Sequence, residues 1–173
     1  MNDAQQPRTA GGGWARWLLI AMVGVLALYV VWLVLFYRYH FVDGVNLLIH
    51  EAGHVIFIPF GITMGVLGGT ILQLAFPIFF VAYFARRRQT LEAGFCTIWA
   101  AESLMYTAAY MADANMKELT LLGGHIHDWN YLFERAGLLG AAEEIASTLH
   151  FLASLAAVLA VYVVFQAVLK RSS

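Results

Sequence analysis

The feature that most constrains this chain is the run from Trp17 to Tyr37, which contains no charged residue. The hydrocarbon core of a bilayer is about 30 Å thick and takes roughly 20 helical residues to cross, so such a run predicts a membrane span. Four more apolar segments follow, Val45 to Phe60, Gly61 to Ala85, Leu91 to Met111 and Ile145 to Leu169. They bring the chain to 61% hydrophobic and only 12% charged, about half the charged share of an ordinary soluble domain. In lipid every backbone polar group must be satisfied internally, and the period-two alternation of a barrel is absent. The expected fold is therefore all-α, a polytopic membrane helix bundle of four or five hydrophobic segments.

Residues 1–13 read as a flexible polar N-terminus ending in Gly11-Gly12-Gly13, and residues 14–173 as a single membrane-embedded helical domain. Residues 112–144 are its one expected extramembrane region. The first apolar segment is longer than a signal-peptide core and is read as a retained helix. Cys96 is the single cysteine and has no internal disulfide partner. A net charge of -1 gives no nucleic-acid surface, so lipid is the expected surrounding and basic residues serve as topology signals. The sequence carries no sign of an oligomeric state.

Five full crossings would set Arg8 and Arg16 opposite Arg86, Arg87, Arg88, Lys170 and Arg171. If Val45 to Ala85 makes one net crossing, with a re-entrant first part, all seven share the cytoplasmic side. Arg38, Lys117 and Arg135 then lie outside, and the positive-inside rule favours this four-crossing arrangement.

The chemistry is concentrated in His50-Glu51-Ala52-Gly53-His54. Histidines four apart project from one face of a helix and can grip one ion, zinc by preference. Glu51 lies about 100° round the helix, where it can act as the catalytic general base. Asn46, one turn before His50, is placed to orient that imidazole through its other ring nitrogen. Three polar side chains in five residues of an apolar helix are expensive in lipid and mark a site.

These residues resemble the site-2-protease group of intramembrane zinc metalloproteases (M50-type), whose HExxH motif sits on a transmembrane helix. The resemblance covers about one helix and implies a zinc peptidase with His50 and His54 as ligands. In that group the third ligand is an aspartate in an Asp-Gly pattern, and no such pattern occurs downstream here. The chain also resembles, more loosely, small bacterial membrane proteins that carry HEAGH early and, later, the segments found here as Ala112-Asp113-Ala114 and His127-Asp128-Trp129-Asn130. This implies a bacterial inner (plasma) membrane.

A catalytic zinc takes three protein ligands and leaves a position open, so another part of the chain must supply a donor. Gly123 to Asn130 offers the densest set. His127 is the first choice, Asp128 the next, with helix capping as its alternative role, and His125 is read as a loop histidine. Glu102, Tyr106, Tyr110 and Asp113 share one helical stripe, which makes Glu102 and Asp113 further candidate ligands or supports of the site. Gly61, Gly65, Gly68 and Gly69 read as a close helix contact. Trp14, Trp17, Tyr37, Tyr39 and Trp129 read as interfacial anchors, and His150 as a packed residue. The leading expectation is a membrane zinc metallopeptidase acting on a membrane-protein or peptide substrate. The alternatives are a non-proteolytic metal-binding membrane protein, such as a sensor or transport component, and a structural subunit with a relic motif.

Overall fold

The computed structural model describes residues 12–119 and 126–171, and among them the regular structure is entirely helical. Six α-helices follow one another: α1 (Gly12–Phe36), α2 (Phe41–Phe57), α3 (Ile62–Arg86), α4 (Thr90–Ala112), α5 (Asp128–Ala136) and α6 (Ala142–Arg171). Four stretches are long and apolar enough to cross a membrane: Arg16–Phe36, Phe41–Phe60, Ile62–Arg86 and Leu139–Lys170. The helix over the fourth predicted segment, α4, is not among them. It carries Glu102, Ser103 and Thr107, all buried, and turns them toward its neighbours. The outer surface is apolar, with Val25, Leu28, Leu35, Val55, Ile78, Phe79, Phe151 and Leu159 exposed, as lipid-facing helices require.

The core forms where α1, α4 and α6 meet. Val30 and Leu33 pack on Ile98, Ala101 and Met105, against Ala153, Ala157 and Ala160 of α6. Apolar surface is not driven together in lipid as it is in water, so small residues that admit close van der Waals contact hold the helices. At Gly94 the approach is closer still, since a Cβ there would stand 2.3 Å from Val164 Cγ2. His150 packs on Tyr37 and meets the Val34 carbonyl at 3.2 Å, in keeping with a packed residue.

Between α1 and α2 the chain doubles back. His40 is extended, and its ring lies against Tyr29 and Trp32, so α2 starts beside α1 about 10 Å back from its end, at 1.5 Å per residue. Irregular backbone at membrane depth must find partners. Here Asp43 supplies one by accepting the His40 N–H at 2.7 Å. From this inner start α2 runs past Trp99 and Glu102 toward the end of α4. A single 3-10 turn, Ile58–Phe60, holds Pro59, and Gly61 follows at φ 98°, a conformation open to glycine and costly for other residues. The chain reverses at this turn, and α3 returns antiparallel to α2.

Gly53, Gly65, Gly68 and Gly69 form the seam of this hairpin. A Cβ on Gly53 would meet the Gly68 carbonyl oxygen at 2.3 Å, and one on Gly69 would meet His50 Nε2 at 2.6 Å. Gln73 faces Ser103 and Thr107, and Phe76 packs on Trp99, so α4 in turn runs antiparallel to α3. Val23 packs beside Leu91, Val164 and Val168. The ends carrying Arg16, Arg86 and Lys170 therefore lie together at one end of the bundle. The far end carries α5, which closes over the hairpin and stops at Gly137 in the left-handed conformation. Trp129, expected as an interfacial anchor, instead packs on Phe133 in the small cluster beneath α5.

Candidate metal centre

Helical spacing puts His50 and His54 on one face of α2, their rings 4.7 Å apart between centroids. The third donor is Asp128, the first residue of α5. Its Oδ2 lies 2.8 Å from His50 Nε2 and 3.2 Å from His54 Nε2. Three ligands at about 2.0–2.2 Å around a tetrahedral ion would stand about 3.3 Å apart, close to the His54–Asp128 separation and about half an ångström beyond the His50–Asp128 one.

The hydrogen bonds behind the rings decide which nitrogens face inward. His54 Nδ1 lies 2.8 Å from the Gly65 carbonyl oxygen, which can only accept, so Nδ1 carries the proton. His50 Nδ1 lies 2.9 Å from Gln73 Oε1. The Gln73 amide is oriented by its own donors, with Nε2 directed at the Ser103 carbonyl at 3.1 Å, Ser103 Oγ at 3.0 Å and Thr107 Oγ1 at 3.2 Å. Its oxygen must therefore accept from His50. Both imidazoles then present the bare Nε2 lone pair to the Asp128 carboxylate. In that tautomer the three acceptors could hold a cation between them, and the donor set is one that fits zinc.

Asp128 is presented in its charged form. Burial opposes the charge, but where no ion sits between the three groups, hydrogen bonds donated by His50 and His54 outweigh it and hold the carboxyl below its usual range. The first turn of α5 adds a favourable helix-end field. The Asp128 backbone N–H donates to the Tyr110 hydroxyl at 3.1 Å, fixing α5 to the end of α4.

Of the two neighbouring candidate ligands, Asp128 meets the histidine pair and the helix cap falls to His127. His127, the first choice for third ligand, caps α5. Its Nδ1 accepts the Asn130 N–H at 3.2 Å and its Nε2 lies 3.1 Å from Asp113 Oδ2, so both ring nitrogens are engaged away from the histidine pair. Asp113 is likewise no ligand here. Besides His127 it accepts the N–H groups of Glu118 at 2.9 Å and Leu119 at 3.1 Å, holding the chain that leaves α4. Gly123, Gly124 and His125 lie outside the described residues. Asn46 does not reach His50. It donates to Glu102 Oε2 at 2.8 Å and accepts from Trp99 Nε1 at 2.9 Å, so neither Asn46 nor Glu102 belongs to this centre.

Gln73 is the functional residue missed in the sequence. A lone glutamine in an otherwise apolar span was the available signal, because an intramembrane amide needs polar partners. Glu51, next to His50, is half-buried. His50 and Asp128 are enclosed at 4% and 6% exposure, whereas His54 and Glu51 are half-buried, leaving approach to their side. No known protein family, curated protein or solved structure matches this chain.

Proposed function

We propose that this chain is a membrane-embedded zinc metallopeptidase that hydrolyses a peptide bond in or near the bilayer. The observation that carries the reading is the convergence of His50 Nε2, His54 Nε2 and Asp128 Oδ2 beside Glu51 on a helix of the predicted HExxH type. Zinc bound there would supply Lewis acidity toward a scissile carbonyl and toward water. His50, His54 and Asp128 hold the ion, and Gln73 and the Gly65 carbonyl keep the two imidazoles in the ligating tautomer. Glu51 takes a proton from the attacking water and returns it to the amine nitrogen as the peptide C–N bond breaks. The substrate is a peptide segment approaching on the half-buried side of His54 and Glu51. The surrounding is a bacterial inner membrane, crossed four times in net, with Arg16, Arg86 and Lys170 at the cytoplasmic end.

Glu51→Gln tests this directly. Purified protein loaded with zinc and offered membrane-segment peptides is expected to cleave them. The variant should bind as much zinc as the parent and lose cleavage by about 100-fold or more, as expected for loss of a general base. Cleavage that persists in Glu51→Gln refutes the mechanism. The enclosure of His50 and Asp128 favours a second reading, a non-proteolytic metal-binding membrane protein. Zinc binding without hydrolysis of any peptide offered would select it.

A further inference from the structure

Seven residues before His50, a second group of donors is buried around the start of α2, and its hydrogen bonding is incomplete. We propose that His40, Asp43 and Glu102 hold a second divalent cation, independent of the first centre and of any peptidase activity. One ligand atom from each of the three lies within 4.8 Å of the others. Asp43 is 0% exposed and Glu102 1%. Asp43 accepts from the Tyr37 hydroxyl, from the His40 N–H at 2.7 Å and from His40 Nδ1 at 2.6 Å. Glu102 Oε2 accepts from Asn46, but Oε1 is buried without a partner, and His40 Nε2 stands 3.9 Å from it.

Two buried carboxyl groups thus share a few neutral donors and one histidine, and among the described residues no lysine or arginine pairs with either. Ionised carboxylates do not remain in an apolar interior without compensation. With Nδ1–H given to Asp43, the His40 Nε2 lone pair accepts from the Tyr29 hydroxyl at 2.6 Å, with Glu102 Oε1 3.9 Å away, so an ion bound by Nε2 would take the place of the tyrosine proton. One imidazole nitrogen and two carboxylates suit a borderline divalent ion such as zinc or manganese.

The spacing assigns this ion a role apart from the first. Co-catalytic metals sit about 3.5–4 Å apart, whereas Asp43 and His50 are separated by about 10 Å along the helix axis. The ion instead ties the inner start of α2 to α1 and α4, and so fixes the height at which His50 and His54 are presented.

The test is a count of ions on the full chain, purified in detergent, loaded with zinc or manganese and freed of excess metal. Wild type is expected to retain two ions per chain. The His54→Ala/Asp128→Asn variant, with the first centre dismantled, should retain one, and zinc should raise its melting temperature. Adding Glu102→Gln, which keeps the shape and the Asn46 bond, should remove that ion and the thermal shift. Asp43→Asn should do the same. If the His54→Ala/Asp128→Asn variant retains no ion, the proposal is overturned and a proton alone serves the pair. An ion that persists in that background through both Glu102→Gln and Asp43→Asn overturns it equally.

Discussion

At the scale of single residues, the centre turns on which of two neighbours faces inward. His127 and Asp128 are adjacent, and the start of α5 falls between them, so one caps the helix and the other opens its first turn. Periodicity cannot place a helix start to within one residue, and an aspartate is the commoner cap, which is why His127 was ranked ahead of Asp128 as a ligand. Asp128→Asn is expected to lower zinc affinity by more than about 100-fold, beyond the loss typical of an outer hydrogen bond. His127→Ala should leave zinc bound and destabilise α5 by about 1 kcal/mol. Zinc titration of both variants checks this, and the reverse order of affinities would restore His127 as the ligand. Gln73→Leu removes the acceptor for His50 Nδ1–H and is expected to weaken zinc binding about 10–100-fold with the three ligands intact. Unchanged affinity would show that Gln73 only packs.

At the scale of elements, the α2–α3 hairpin makes the site possible. The HExxH helix was legible because three polar groups in an apolar run stand out. The glycine contact was legible as spacing, but its partner was not, since nothing local shows that Gly53 of the motif itself opposes Gly68 and Gly69. The Glu102 to Asp113 stripe was readable as an inward face, yet it serves two places: Glu102 the start of α2, Tyr110 the start of α5. Periodicity reports that a face is buried and says nothing of what lies opposite. Gly69→Ala is expected to cost about 1–3 kcal/mol, because the added methyl collides with the His50 ring, which has no room to move away. Zinc should bind more weakly in the same variant. A melting temperature and zinc affinity equal to the parent's would mean that the helices part more easily than their spacing indicates.

At the scale of the whole molecule, the ends bearing Arg16, Arg86 and Lys170 gather together, and the loop after α1, the end of α4 and α5 gather opposite. Cysteines introduced at Arg87 and Lys170 in a Cys96→Ser background should both react with a membrane-impermeant maleimide only from the cytoplasmic face, and one at Arg135 only from the other face. Labelling of the first two from opposite faces would refute the four-crossing arrangement. The composition announced a helical membrane protein, but the inner start of α2 was legible only as a charge count, because the residues that shape it, His40 and Asp43, act through Tyr29, Trp32, Tyr37 and Glu102 elsewhere in the chain. The glycine seam also defines a way to recognise kin when overall similarity has faded. A chain carrying His-Glu-x-Gly-His on one apolar helix, Gly-Gly-x-x-x-Gln on the next and an aspartate opening a short helix beyond them would share this architecture, since the seam tolerates no larger residue and the glutamine has one place to stand.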